Sequence, residues 1–381
     1  MREANRLNRV SEYYFSRKLK EVRSLVLSGR PIINMGIGSP DLAAPDSATK
    51  ALTLSLQESG VHGYQSYVGR EELRVAFSEF YNKHYGVILN PVTEVLPLMG
   101  SKEGIFHISM AFVNPGDKVL IPNPGYPTYS SVTDLVGGVS VGYTLTESGL
   151  PDFASIDPKD LNDAVLMWVN YPHMPTGKCI KSDQWQLLAQ FAKQHNLLLV
   201  NDNPYSFIGN ERPSSLLSQL GKFGPILELN SLSKVFNMAG WRVGMICGDS
   251  SLITSVLKVK SNMDSGMFLG IQRAAIAALD APNSWFIDLN NTYRERRLKI
   301  EELCVLLDLH PEPNQVGMFV WCKVPKGISA ETLVDYYLDT YDFFIAPGII
   351  FGSEGVDYVR FSLCVSVEQI NEVIQRVKSK L

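Results

Sequence analysis

The chain has 381 residues, of which 45% are hydrophobic, and its formal net charge is -4. A chain of this length and composition can bury a large core and is long enough for two domains, so we expect a folded protein rather than a disordered one. The small negative charge gives no general basic field, so we expect no nucleic-acid or anionic membrane partner and favour small-molecule chemistry.

The amino-terminal segment, residues 1–22, is charged throughout and lacks the apolar core of a signal peptide. No later stretch is long and apolar enough to span a bilayer, so we expect a cytoplasmic protein. The next clear element is a helix over residues 71–84 that ends at Gly86. Its apolar face carries Leu73, Phe77, Phe80, Tyr81 and His84.

Short aliphatic runs at residues 118–122, 164–169, 197–200 and 226–229 predict strands that are buried on both faces. Between them, residues 182–195 predict a helix capped by Ser182. Its stripe is Trp185, Leu188, Ala189 and Ala192. This alternation predicts an α/β fold with a mostly parallel, doubly wound sheet.

The pattern changes after about residue 280. A long charged helix near residues 285–307 leads to two apparent strands, at 317–324 and 359–363, of a smaller α+β domain. We expect residues 1–45 to join this small domain, residues 46–280 to form the large domain, and residues 281–381 to form the small one.

The cysteines are odd in number and widely spaced, at Cys179, Cys247, Cys304, Cys322 and Cys364. This spacing argues against both a disulfide framework and a zinc cluster, and no metal is expected. They are predicted to be reduced, mostly buried thiols.

The most informative stretch is residues 231–244, SLSKVFNMAGWRVG. Lys234 follows a strand-like segment, so we expect it at a strand's carboxyl end, where open α/β sheets place ligands. An amine that forms an imine needs a depressed pKa, which burial and the nearby cation of Arg242 would provide. The alternative is a surface lysine in a loop.

Two further clusters also follow apolar segments. The sequence GSKEG at residues 100–104 opens a helix whose free N–H groups, with the hydroxyl of Ser101, suit a phosphate, although many helices begin this way only to cap themselves. In NDNPY, the carboxylate of Asp202 suits a protonated ring nitrogen and Tyr205 a phenolic oxygen. Ordinary turn chemistry explains NDNPY equally well.

Two other side chains have chemical potential. In NPGYPTY, Tyr126 suits stacking on a planar cofactor, although an aromatic ring beside prolines often only packs a loop. Arg360 lies in a strand-like segment and suits a carboxylate, while the alternative is a surface ion pair of little energetic value.

These motifs, together with YPHMPTG and YVRFSL, occur in the order and rough spacing of class I/II aminotransferases, the fold-type-I enzymes that use pyridoxal 5'-phosphate. Residues 34–41 and 64–74 also fit, so the resemblance runs from about residue 32 to the carboxyl terminus. It implies a ping-pong transfer of an amino group between an L-amino acid and a 2-oxo acid, which are the expected small-molecule partners.

The resemblance also implies roles at matching positions. Lys234 would carry the internal aldimine and shuttle the α-proton, Asp202 would pair with the pyridinium nitrogen, and Tyr205 would bind the phenolic oxygen. The expected cofactor contacts are completed by Tyr126 stacked on the ring, by Asn170, and by Gly100, Ser101, Lys102, Ser231, Ser233 and Arg242 around the phosphate. Tyr64 would reach in from the other subunit of a homodimer. Arg360 would bind the substrate α-carboxylate, with Gly38 nearby.

One position departs from the family. Met174 replaces the asparagine that usually donates to the cofactor's phenolic oxygen, and a thioether cannot donate. We therefore expect a raised aldimine pKa. Asn170, four residues earlier, is a candidate to compensate.

Two alternatives to amino transfer stay open. The same scaffold serves a carbon–sulfur lyase that eliminates from the β- or γ-carbon, and it also serves a non-catalytic cofactor-binding sensor. Residues 1–31 are too short for the helix-turn-helix domain of such regulators.

The sequence does not identify the substrate. Candidates for a second substrate-binding cation are Arg273, Arg294, Arg296 and Arg297, and candidates for covering the pocket are Tyr13, Tyr14 and Phe15.

Overall fold

The computed structural model describes residues 2–9, 14–221 and 224–381. The helices are α1 Tyr14–Leu27, α2 Asp46–Ser55, α3 Glu71–Tyr85, α4 Ser101–Phe112, α5 Thr128–Val136, α6 Pro158–Leu161, α7 Ser182–Gln194, α8 Leu216–Leu220, α9 Leu232–Val235, α10 Ser250–Lys260, α11 Leu269–Leu279, α12 Asn283–Leu306, α13 Ala330–Tyr341 and α14 Val367–Lys378. The strands are β1 Ile33–Asn34, β2 Val95–Leu98, β3 Lys118–Pro122, β4 Val139–Tyr143, β5 Ala164–Val169, β6 Leu198–Asp202, β7 Ile226–Ser231, β8 Gly244–Gly248, β9 His310–Pro311, β10 Phe319–Lys323, β11 Phe343–Phe344, β12 Ala346–Pro347 and β13 Tyr358–Ser362.

The largest sheet has seven strands in the order β2-β8-β7-β6-β5-β3-β4. The pairs from β7 to β4 are parallel, whereas β8 runs antiparallel to both of its neighbours. This is the predicted mostly parallel α/β sheet, and the four predicted strands become β3, β5, β6 and β7. Their carboxyl ends therefore meet at one edge of the sheet.

Both faces of this sheet are covered. Leu166 and Trp168 of β5 belong to one core, together with side chains of α4, α5 and α10. Met167 and Val169, the alternate residues, belong to a second core with side chains of α3, α7 and α11. Since successive side chains of a strand point to opposite faces, a strand between two helix layers must be apolar throughout.

The predicted helices form with small differences. Gly86 ends α3 in the left-handed conformation, with φ of 67°, as expected for a glycine stop. The expected cap at Ser182 is wrong, because Ser182 is already the first residue of α7 and Lys181 precedes the helix. There the side chain of Gln184 accepts a hydrogen bond of 2.8 Å from the N–H of Lys181, so a residue inside the first turn satisfies the exposed backbone donor.

A second sheet has four strands in the order β12-β13-β10-β9. The two predicted carboxyl-terminal strands are β10 and β13, and they pair antiparallel with Trp321 opposite Arg360. The short strand β1 pairs in parallel with β11 through Ile33 and Phe343. The amino-terminal segment thus packs beside carboxyl-terminal elements that are distant in sequence.

All five cysteines are free thiols, and four of them are buried. This agrees with the predicted absence of a disulfide framework. None of the helices in the described ranges combines the length and the apolar character needed to cross a lipid bilayer.

Candidate active site

A cavity of about 1050 Å³ lies at the carboxyl edge of the large sheet. All predicted site residues except Gly100 and Tyr64 line it: Gly38, Ser101, Lys102, Tyr126, Asn170, Asp202, Tyr205, Ser231, Ser233, Lys234, Arg242 and Arg360. Tyr126, Asn170, Asp202 and Lys234 come together because β3, β5, β6 and β7 end at the same edge of the large sheet. Gly38 and Arg360 come from outside that sheet, Gly38 after β1 and Arg360 on β13.

Lys234 lies on the one-turn helix α9 directly after β7. Its Nζ donates a hydrogen bond of 2.6 Å to the carbonyl oxygen of Gly38. Burial lowers the pKa of Lys234, and the positive charges of Arg360 and Arg242 lower it further, whereas Cys364 and Asp202 oppose the decrease. The interpretation of Lys234 as a surface lysine is therefore wrong, since the amine is largely buried and biased toward its neutral, nucleophilic form.

Asp202 is the last residue of β6, and its carboxylate is buried. Tyr129 donates a hydrogen bond of 3.0 Å to Oδ2, whereas Oδ1 is buried without a hydrogen-bond partner among the described residues. Burial raises the pKa of Asp202 to about 7, although the Tyr129 hydroxyl opposes the increase. A buried carboxylate oxygen without a donor suits a cationic N–H group brought by a ligand.

Backbone N–H groups and cations converge at the other end of the cavity. Gly100 precedes α4 with φ of 90°, and a Cβ there would lie 2.2 Å from Nη2 of Arg242. Only glycine therefore lets the guanidinium rest against the start of α4. Ser101 begins that twelve-residue helix, whose first N–H groups have no partner within the helix. This combination suits a phosphate.

Two serines complete this end of the cavity. Ser231 caps α9, with its Oγ accepting a hydrogen bond of 3.1 Å from the N–H of Ser233. The same Oγ lies 2.8 Å from Oγ of Ser233. Both side chains line the cavity, and the Ser233 hydroxyl, which accepts from Ser231, can donate its own hydrogen to an anion.

Arg360 lies on β13 with 5% of its surface exposed. Its guanidinium carbon is 3.9 Å from the ring centroid of Phe319 and 4.4 Å from that of Phe351. Nη2 donates to the carbonyl of Gly36 at 3.0 Å, and Nη1 lies 3.3 Å from Sδ of Met174. Burial lowers the pKa of Arg360 to about 10.

No carboxylate of the described residues pairs with Arg360, and its Nε is buried without an acceptor. The prediction of a surface ion pair is therefore wrong. A buried guanidinium that lacks a counter-ion suits a carboxylate supplied by a ligand.

The remaining predicted residues shape the middle of the cavity. Burial raises the pKa of Tyr205 above its usual range, so its hydroxyl stays a neutral hydrogen-bonding group. Asn170 donates from Nδ2 to the carbonyl of Asp202 at 2.5 Å and accepts from the N–H of Met174 at 2.8 Å. Its amide thus ties the β6 end to the loop that carries Met174.

Tyr64 is 93% exposed and does not line the cavity of its own chain. Of the candidates for covering the pocket, Tyr13 lies outside the described residues, and the side chains of Tyr14 and Phe15 do so as well. The four arginines considered as a second substrate cation do not line the cavity either: Arg273, Arg294, Arg296 and Arg297. Arg296, for example, forms an ion pair of 2.7 Å with Asp41.

Sequence reasoning missed three side chains of the site. Tyr129 had a usable signal, because it belongs to the same NPGYPTY segment as Tyr126, and the centroids of the two rings lie 5.7 Å apart in the structure. Phe319 had none, since it meets Arg360 only through the pairing of β10 with β13. Phe351 lies nine residues before Arg360, and its contact depends on the turn between them.

A second polar cluster lies behind the start of α4. Ligand atoms of Glu103, His107 and Asp264 lie within 4.8 Å of one another. Nζ of Lys260 is 2.8 Å from Asp264 and also donates to the carbonyl of Tyr67 at 2.9 Å. A lysine ammonium therefore already pairs with Asp264, and Lys260 ties the end of α10 to the loop that contains Tyr67.

Comparison with known proteins identifies the family. The family model for aminotransferase class I and II matches residues 30–377. The LL-diaminopimelate aminotransferase of Aquifex aeolicus is 36% identical over 380 residues, covering 99% of this chain and 98% of that protein. The enzyme of the same name from Moorella thermoacetica is 37% identical over 385 residues, covering 100% and 99% of the two chains.

Solved structures agree. The apo structure of BacF from Bacillus subtilis superimposes with a TM-score of 0.95 at 34% identity, covering 100% of this chain and 98% of that one. A probable N-succinyldiaminopimelate aminotransferase from Thermus thermophilus gives a TM-score of 0.89 at 29% identity, covering 96% and 100%. The chain therefore belongs to the class I and II aminotransferases, enzymes that depend on pyridoxal 5'-phosphate.

Proposed function

We propose that this aminotransferase transfers the amino group of an L-amino acid to a 2-oxo acid in two half-reactions at the cavity described above, with Lys234 as its central residue. The observation that carries the proposal is the pairing, in one cavity, of a partly buried lysine of lowered pKa with Arg360, a buried arginine that lacks a counter-ion among the described residues. One group supplies a neutral amine and the other a carboxylate site.

The residues present fit pyridoxal 5'-phosphate at both of its ends. The partnerless Oδ1 of Asp202 suits the protonated ring nitrogen, while the start of α4, Ser101 and Arg242 suit the phosphate. Ser231, Ser233, Lys102 and the backbone at Gly100 would support the phosphate as well. Tyr126, Tyr205 and Asn170 would hold the ring, and Lys234 would hold the cofactor covalently. When bound, this cofactor supplies an electron sink for charge that develops at the substrate's α-carbon.

Lys234 has a second task in this proposal. Once its Nζ is free, the neutral amine would take the proton from the substrate's α-carbon and deliver it to the cofactor carbon that acquires the amino group. A lowered pKa favours this, because an ammonium group cannot accept a proton. The hydrogen bond to the Gly38 carbonyl gives Nζ a defined resting position near the substrate.

Arg360 would orient the substrate by binding its α-carboxylate through Nε and the adjacent Nη group. The rings of Phe319 and Phe351 hold the guanidinium plane and exclude water from it. A carboxylate fixed there would restrict rotation of the substrate and keep its α-carbon beside Lys234.

The assembly and location are also part of the proposal. We propose a cytoplasmic homodimer in which Tyr64 reaches the cofactor of the neighbouring subunit, an arrangement that its 93% exposure supports. We also propose a large domain at residues 46–280 and a small domain formed by 1–45 and 281–381. The pairing of β1 with β11 supports this division.

No specific feature favours elimination or a sensor role, and the relatives described above are named as aminotransferases. Because several are named LL-diaminopimelate aminotransferases, that diamino diacid is the first candidate donor.

The test is to incubate the cofactor-bound protein with single amino acids, LL-diaminopimelate among them, and to record the absorbance of the cofactor. We expect conversion to the aminated cofactor and release of one equivalent of 2-oxo acid. Lys234→Ala should abolish the conversion. Release of ammonia without an oxo-acid acceptor would instead indicate elimination and contradict the proposal.

A further inference from the structure

Helix α1 contributes one face to the active-site cavity. Its cavity-lining residues are Ser16, Leu19, Lys20 and Arg23. These positions recur at three and four residues, so they share one side of the helix. Two of the four are cationic, and both are exposed in the structure.

The opposite face of α1 fixes the helix in place. Nζ of Lys18 lies 2.7 Å from a carboxylate oxygen of Asp335 on α13. Val22 is 4% exposed and belongs to the main core, against which Leu25 also packs. Just beyond the helix, Arg30 pairs with Asp342 at 2.8 Å. The cationic face is therefore held toward the cavity by ion pairs and apolar contacts behind it.

The charges that line the cavity are strongly unequal. Among the described lining residues, the basic side chains are Lys20, Arg23, Lys102, Lys234, Arg242 and Arg360, whereas the only Asp or Glu is Asp202. In the proposed function, Asp202 faces a ring nitrogen, Arg242 and Lys102 face the phosphate, and Arg360 faces the α-carboxylate. Those assignments leave Arg23 on α1 without a ligand group, and Lys20 lies on the same face of the helix.

Resting on the proposed function, we infer that α1 selects substrates whose side chain ends in an anion, with Arg23 and Lys20 as its recognition residues. Arg23 is exposed and lines the cavity. An anionic group at the end of the substrate would receive charge-assisted hydrogen bonds from this face while Arg360 holds the other end. The substrate would lie between the two cationic walls, with its α-carbon beside Lys234.

The test compares rates of the first half-reaction in the cofactor-bound enzyme. L-Glutamate and L-2-aminoadipate carry a distal carboxylate, O-phospho-L-serine carries a phosphate, and L-norleucine is neutral. We expect the double variant Lys20→Met/Arg23→Met to lose about tenfold or more in kcat/KM for the anionic substrates that wild type accepts, because hydrogen bonds to charged groups are lost. The rate with L-norleucine should stay within about twofold.

Arg17→Met is the matched control, since Arg17 lies on the same helix but does not line the cavity. It should leave the ratio of anionic to neutral substrates unchanged. If the ratio of kcat/KM for the anionic substrates to kcat/KM for L-norleucine is the same in wild type and in the double variant, the selection by α1 is overturned and amino transfer is left intact. Failure of every amino acid to convert the cofactor would refute the proposed function itself, and this inference with it.

Discussion

Tyr129 donates a hydrogen bond of 3.0 Å to Oδ2 of Asp202, and Oδ1 of the same carboxylate is buried without a partner in the described part of the chain. The tyrosine ring is itself fixed by stacking on Trp168, with ring centroids 5.1 Å apart and planes inclined by 10°. Tyr129 thus sets the orientation of the carboxylate and favours its ionised form, since its hydroxyl opposes the rise in the pKa of Asp202.

Tyr129→Phe should lower kcat by about tenfold, because a hydrogen bond to an ionised group is typically worth ~1.5–3 kcal/mol. The ring stack on Trp168 would remain, so the fold should persist. The measurement is kcat at saturating substrate. Tyr143→Phe is the control, because Tyr143 is also buried and its hydroxyl donates to the carbonyl of Trp168 at 2.7 Å, away from Asp202. Equal kcat values in the two variants would contradict this role for Tyr129.

Asp202 should also make the cofactor-free protein less stable as the pH rises. Its folded-state pKa of about 7 lies above the ordinary value of 3.8. Between pH 3.8 and pH 7 this carboxyl group is therefore mostly protonated in the folded state and mostly ionised in the unfolded state. Stability contributed by this proton is fully present below pH 3.8 and is lost by about pH 7, at roughly 1 kcal/mol per pH unit.

Asp202→Asn removes this titration while keeping an oxygen that accepts from Tyr129. The cofactor-free variant should therefore gain stability relative to wild type between about pH 5 and 8, although it should lose activity. Urea unfolding of both proteins at the two pH values measures the difference. Parallel changes in wild type and variant would show that Asp202 is not the source of the pH dependence.

Gly100→Ala should weaken cofactor binding by about tenfold, because the new Cβ would displace the Arg242 guanidinium and cost a charged contact with the phosphate. Gly116→Ala is a matched control: its φ of 94° is close to the 90° of Gly100, but no atom lies within 4 Å of its added Cβ. Both variants should lose ~1 kcal/mol of stability from backbone strain. Titration of the cofactor into the apoproteins distinguishes them, and equal dissociation constants would rule out the predicted effect.

The sequence predicted those parts of the site that depend on local order along the chain. Asp202 and Lys234 each follow a recognisable apolar strand, and strand ends of a parallel sheet converge, so their proximity was predictable. The contacts of Arg360 were not, because Phe319 reaches it through the pairing of β10 with β13 and Phe351 through the turn that precedes β13. The cationic face of α1 was also missed, since the direction in which an amphipathic helix faces is set by packing such as the Lys18–Asp335 ion pair.

Met174→Asn should lower the pH midpoint at which the bound cofactor changes its absorbance. In wild type, Sδ of Met174 contacts Nη1 of Arg360 and offers no donor to the cavity. Asn170 is already engaged at both ends of its amide, with the backbone of Asp202 and of Met174 itself. An asparagine at 174 would add an N–H donor for the cofactor's phenolic oxygen, which stabilises negative charge there and favours loss of the proton.

The measurement is a spectrophotometric pH titration of the cofactor-bound proteins without substrate. Met174→Leu serves as the control, because it also lacks a donor and preserves the apolar volume beside Arg360. The pH midpoint of Met174→Leu should equal that of wild type, whereas the midpoint of Met174→Asn should shift to lower pH. An unchanged midpoint in the asparagine variant would mean that the donor missing at position 174 is not what sets the basicity of the cofactor in this enzyme.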